Sequence, residues 1–110
     1  MTSEDILPKD PTQALKKMTE ITNDLAEKMN SETTSLAMQD ATGAMMAEQP
    51  KEDAVARYEQ AAGEFKQRAA DFEDEDQALL DALESAQEEL RKITQNNLDL
   101  RDKLSAYRSK

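Results

Sequence analysis

From Val55 to Tyr107 the chain reads VARYEQAAGEFKQRAADFEDEDQALLDALESAQEELRKITQNNLDLRDKLSAY. Apolar side chains recur at alternating steps of three and four. They are Val55, Tyr58, Ala62, Phe65, Ala69, Phe72, Leu79, Leu83, Ala86, Leu90, Ile93, Leu100, Leu104 and Tyr107. Only Asp76 and Asn97 interrupt this seam with polar groups. A repeat of 3.5 residues held for over seven heptads is the mark of a left-handed coiled coil. Read as one helix, residues 52–108 would run about 85 Å at ~1.5 Å per residue. A monomer of 110 residues does not cover such a rod on every side. The spacing therefore predicts an all-α protein with a long C-terminal coiled-coil helix that meets other chains.

The seam divides at its acidic stretch. Five of the six residues in Asp71-Phe72-Glu73-Asp74-Glu75-Asp76 are carboxylates, which repel their own copies across a symmetric dimer. That run is either a locally open section of the rod or the place where the helix changes partner. Before it, small Ala alternates with Tyr58, Phe65 and Phe72, a surface suited to an unlike helix. After it, Leu79, Leu83, Leu90, Ile93, Leu100 and Leu104 suit self-association, with Tyr107 closing the row. Asn97 falls at an a position. There it fixes register by pairing with its own copy, or it faces water near a frayed end or meets a different polar group in a hetero-complex. The interface expected from sequence is thus Phe65, Phe72, Leu79, Leu83, Leu90, Ile93, Asn97, Leu100, Leu104 and Tyr107.

Working back towards the N-terminus, Gln49-Pro50-Lys51 is the sharpest break by local rules, because Pro50 lacks an N–H and restricts the residue before it. Residues 11–48 form a separate helical segment. Asp10-Pro11-Thr12-Gln13 is a helix start, with Asp10 as cap and Pro11 at the first helical position. Leu15, Met18, Thr22, Leu25 and Met29 form one stripe. Asn30-Ser31-Glu32-Thr33-Thr34-Ser35 interrupts it, so that a helix either ends and restarts at Ser31 or runs through weakly. Leu36 to Glu48 is rich in Met and Ala, and Met surfaces serve either as adaptable binding faces or as ordinary packing. One or two shorter helices thus precede the long one, in a position to fold back as a helical hairpin. Residues 1–10 read as a flexible tail.

The composition agrees with long helices. Charged residues make up 35% of the chain, with two Phe, two Tyr and no Trp to thicken a core. The chain has no Cys and no His, which removes disulfides, Cys/His metal sites, the usual general base and the usual thiol nucleophile. Gly43 and Gly63 stand alone, so no phosphate-cradling loop exists. No cofactor and no enzymatic activity are expected. The net charge of −10 disfavours nucleic acid and anionic membranes as partners. No apolar run reaches membrane-spanning length, and the first residues lack a signal-peptide layout. A soluble cytoplasmic protein is the expectation, although a nuclear protein or one exported without a signal would look the same. The charge is uneven. Residues 91–110 carry Arg91, Lys92, Arg101, Lys103, Arg108 and Lys110 against Asp99 and Asp102, a net of +4 beside an acidic remainder. This end is a candidate docking point for an acidic partner.

The functional expectation is a non-catalytic oligomerisation or scaffold protein, a small subunit of a larger assembly, acting as a homodimer or in a hetero-oligomer. The alternative is a small acidic chaperone or cargo carrier of a secretion or assembly system that binds a client helix. An exported helical hairpin is a third reading.

Overall fold

A computed structural model describes residues 5–108, with side chains described through Ala106. The described residues are all-α. Helix α1 spans Pro11–Ala37, α2 spans Ala41–Gln67 and α3 spans Gln77–Arg108, with a short 3-10 turn at Ala69–Phe72. The C-terminal helix is the longest, at 32 residues, and two shorter helices of 27 residues precede it. Helices α1 and α2 form an antiparallel hairpin, and α3 returns parallel to α1. Helix α1 packs along both neighbours, whereas α2 and α3 hardly approach each other.

Local chemistry explains where the helices stop; of the two readings of the run 30–35 the helix runs through, and the expectation fails at Pro50 and at the acidic run. The run 30–35 does not interrupt α1. Thr33 and Thr34 donate their hydroxyls to the carbonyls of Met29 and Asn30, one turn back, so they no longer compete with the backbone. The helix ends instead at a Schellman motif: Asp40 N–H donates to Ser35 O, Gln39 N–H donates to Leu36 O, and Gln39 takes a left-handed φ of 57°. Asp40 then caps α2 by accepting from Gly43 N–H.

Pro50 does not break the chain. It lies well inside α2, on an exposed face one turn after exposed Met46. The Met46 carbonyl that loses its helix partner is therefore on the solvent side, and packing of the Ala54 and Ala61 face holds the helix together.

The true break is the acidic run, so residues 52–108 form two helices and not one rod. Phe65 and Phe72 stack with ring centroids 4.3 Å apart. Seven residues along one α-helix are about 10 Å apart, so this stack requires the chain to have left the helix. Phe72 turns inward and is buried. Asp76, read from sequence as a seam residue, is a helix cap: its carboxylate accepts from Ala78 N–H at 2.8 Å. Glu75 accepts from the Thr12 hydroxyl, tying this corner to the start of α1.

Residues 6–10 are anchored, not loose. Ile6 and Leu7 donate their N–H groups to the Glu64 carboxylate, and Leu7 is buried. The Arg68 guanidinium donates to the carbonyls of Pro8 and Lys9 and lies over the Phe72 ring. Residues 1–4 lie outside the described part of the chain.

Candidate functional site

Seven of the residues expected to meet another chain, Phe65, Phe72, Leu79, Leu83, Leu90, Ile93 and Asn97, pack within their own chain. Leu83 and Phe72 are buried with Leu15, Met18 and Ile21, and Phe65 and Leu79 pack at the edge of that cluster. Leu90 is buried with Leu25, Ala26 and Ala54, with Ile93 beside it. Leu100 and Leu104 are half-buried further along α3. Tyr107 lies in α3, with its side chain outside the described set.

Asn97 is buried, and its partners are internal. Its amide nitrogen donates to Glu32 Oε1 at 2.9 Å and to the Thr33 hydroxyl at 2.9 Å. Glu32 is itself buried. Lys51 Nζ approaches both of its oxygens, at 2.9 Å and 3.1 Å, and Arg101 Nη1 lies 3.7 Å away. Burial pushes the Glu32 carboxyl up. The hydrogen bonds from Asn97 and Lys51 and the charges of Lys51 and Arg101 outweigh this and hold it below the ordinary carboxylate value. One carboxylate from α1 thus collects a cation from α2 and an amide from α3. No buried side-chain nitrogen or oxygen among the described residues is left without a partner.

Sequence reasoning found Asn97 and missed Glu32 and Lys51. The signal was present. Continuing the α1 stripe from Met29 by steps of three and four lands on Glu32 and Leu36, and stepping back four from Val55 lands on Lys51. Each of the three seams carries one polar group at the same level of the bundle.

Beyond this polar layer, the end of the bundle holds two open hollows of mixed lining. The Met-rich segment crosses the α1–α2 turn there, and Met38, Met45 and Met46 are 74%, 70% and 73% exposed. A groove of about 400 Å³ lies between the first turn of α2 and the far end of α3, lined by Leu36, Ala41, Ala44 and Leu104 together with Ser35, Gln39 and Asp40. A second hollow shares Leu36 and Ala44 with it and adds Glu32, Met45, Glu48 and Arg101. The Arg101 side chain is 49% exposed. The opposite surface, the outer face of α3, is charged: Asp81, Glu84, Glu88 and Glu89 lie there with Lys92.

The described residues contain no cluster of three or more carboxylates arranged to hold a metal ion, and no helix among them is long and apolar enough to cross a membrane. No protein-family model matches the chain, and no curated protein or solved structure matches it.

Proposed function

We propose that this chain is a non-catalytic protein-interaction module, a small component of a larger protein assembly, that engages its partner through the Met-rich end of the bundle. The observation that carries this reading is the exposure of Met38, Met45 and Met46 at the α1–α2 end, with Met45 lining a hollow that shares Leu36 and Ala44 with the groove. Isolated exposed apolar residues need no explanation, but three exposed, flexible Met side chains between residues 38 and 46 suit an adaptable binding surface. From Leu79 to Asn97 the α3 seam packs within the chain, whereas Leu104 beyond it lines the groove. This favours the client-binding form of the expectation over self-association of the folded chain through Leu79 to Asn97.

The test is a photo-cross-linking side chain placed at Met45 and, separately, at Glu84 on the charged face, each in the full chain in its native cell. The expected result is a discrete protein adduct from position 45 and none from position 84. Equal adducts from both positions, or none from position 45, would overturn the reading.

A further inference from the structure

We infer that residues 68–76 are a hinge through which α3 is exchanged between two copies of this chain, each α3 then packing on the α1 of the other copy. The inference concerns the α3 seam and stands apart from the reading of the Met-rich end.

The first support is what α3 touches. Leu83 is buried with Leu15, Met18 and Ile21 of α1, and Leu90 with Leu25 and Ala26. Asn97 donates to Glu32 and Thr33 of α1. Helix α2 hardly approaches α3. What α3 recognises is therefore one face of α1 in an α1–α2 hairpin, and a second copy offers the same face.

The second support is the chemistry of the turn. Arg68-Ala69-Ala70-Asp71-Phe72-Glu73-Asp74-Glu75-Asp76 contains no Gly, no Pro and no β-branched residue. Its backbone is already close to helical: Ala69–Phe72 is a 3-10 turn, and Glu73 has a right-handed φ of −59° and ψ of −37°. The turn between α1 and α2 differs, because Gln39 holds a left-handed φ there and no other described residue has a positive φ. The seam spacing also continues across the hinge, through Phe65, Ala69, Phe72, Asp76 and Leu79. Straightened, residues 41–108 would form one helix of about 100 Å at ~1.5 Å per residue.

Topology closes the exchange on two chains. Helix α3 runs parallel to α1 and antiparallel to α2, so a straight α2–α3 helix carries α3 past the start of its own α1. A second chain related by a twofold axis at the hinge places its α1 there, in the direction α3 requires, and gives its own α3 in return. The contacts of α1 with Leu83, Leu90 and Asn97 are then remade between chains.

The single chain is held closed at the turn. Phe72 is buried and stacked on Phe65, Arg68 donates to the carbonyls of Pro8 and Lys9, Glu75 accepts from Thr12, and Asp76 caps α3. The acidic run opposes the straight form. In a continuous helix Asp71 would face Asp74 and Glu75, Glu73 would face Asp76, and two such runs would meet at the twofold axis. The short tether also keeps α3 at high local concentration beside its own α1. Dilute chains therefore stay closed, whereas high concentration and neutralisation of the run favour exchange.

The experiment places a thiol pair in this cysteine-free chain by Met29→Cys on α1 and Thr94→Cys on α3, where the Thr94 hydroxyl lies 3.2 Å from Met29 Sδ. A short bis-maleimide then links the pair within a closed chain and between chains after exchange. Kept dilute, the full-length protein is expected to give only linked monomer on a denaturing gel. Held at about 1 mM just below its unfolding temperature, then cooled, diluted and linked, it is expected to give a linked dimer. Gln77→Pro suits the first position of α3 but breaks a continuous helix, and is expected to reduce that dimer about tenfold. Asp76→Leu with Glu73→Gln and Asp74→Asn completes the seam and relieves the repulsion. It is expected to raise the dimer about tenfold. X-ray scattering should then show a particle stretched from the 53 Å of the single chain to about 100 Å. No linked dimer from the unmodified hinge, the same yield with Gln77→Pro, or a doubled mass whose links stay within single chains would each overturn the inference. The unmodified hinge and Gln77→Pro decide the outcome even where the triple variant does not fold.

Discussion

Lys51 Nζ lies 2.9 Å from Glu32 Oε2, with only 12% and 6% of the two side chains exposed. The pair joins α1 to α2 inside the bundle, and Asn97 joins the same carboxylate to α3. A buried ion pair is seldom a large net source of stability, because desolvation offsets the attraction. Its larger effect is on which arrangement the helices accept. A shift of α3 along α1 by one turn would leave Glu32 and Asn97 facing apolar side chains.

Asn97→Leu should therefore lower stability without changing the state of association. Losing one donor to a buried carboxylate costs about 1–3 kcal/mol. Urea unfolding would read that loss, and sedimentation would read an unchanged mass. A change in mass would instead point to Asn97 pairing with its own copy. Lys51→Met leaves the buried Glu32 charge only the more distant Arg101 and should cost about 3 kcal/mol. Replacing all three, Glu32→Met with Lys51→Met and Asn97→Leu, should recover much of that loss.

Acid should weaken the fold through the same carboxylate. The Glu32 carboxyl is held below its ordinary value of 4.5 in the folded chain, and the Glu64 carboxyl that anchors Ile6 and Leu7 is lowered as well. A group with a depressed folded pKa contributes its stability above the unfolded value and loses it as pH falls through the folded one. Stability should thus be flat above about pH 5 and decline below about pH 4.5. In Glu32→Gln the acid decline should be shallower. Urea midpoints measured at steps from about pH 7 down to about pH 3 would check this, and an equally steep decline would contradict it.

Three backbone positions make opposite predictions for similar substitutions. Gly63 is exposed in mid-helix, and a Cβ there meets nothing within 4 Å. Gly63→Ala should stabilise by up to about 1 kcal/mol. A Cβ at Gly43 would overlap the Asp40 carboxylate and stand 2.9 Å from the Ser35 hydroxyl. Gly43→Ala should therefore displace the cap of α2 and cost about 1 kcal/mol or more, despite the better helix propensity of Ala. Gln39 occupies the left-handed place that glycine normally fills, and Gln39→Gly should gain about 1 kcal/mol. Thermal unfolding of the three variants would settle the signs.

Leu90→Asp distinguishes an internal seam from an intermolecular one. Leu90 packs among Leu25, Ala26 and Ala54 of the same chain. A carboxylate there has no partner, and the cost of about 4 kcal/mol or more should unfold much of the protein. Helical circular dichroism should fall. A folded variant of reduced mass would mean that the seam holds chains together instead.

Much of the fold was legible in particular residues. Asp10 and Pro11 started α1 where expected, and Gln13 N–H donates to the Asp10 carboxylate. The stripe from Leu15 to Leu25 and the seam from Leu83 to Asn97 are the buried faces. Two breaks were misplaced because propensity rules weigh each residue alone. Pro50 was tolerated on a wet face, while Gln39 adopted a strained φ because Ser35 and Leu36 had carbonyls to offer. Of the candidate surface, the Met-rich stretch was visible, but its exposure was not: Met at helical spacing reads alike in a core and on a surface.

The sequence by itself determined that the chain is helical, which faces are apolar, and that Asn97 lies on one of them. Periodicity is a local property and survives any arrangement of the helices. Only the tertiary structure decided what those faces meet. The seam reads the same against another chain as against α1. Its actual partner depends on the turn at 68–76, where stacking of Phe65 on Phe72 and capping by Asp76 reverse the chain and bring Asn97 to Glu32.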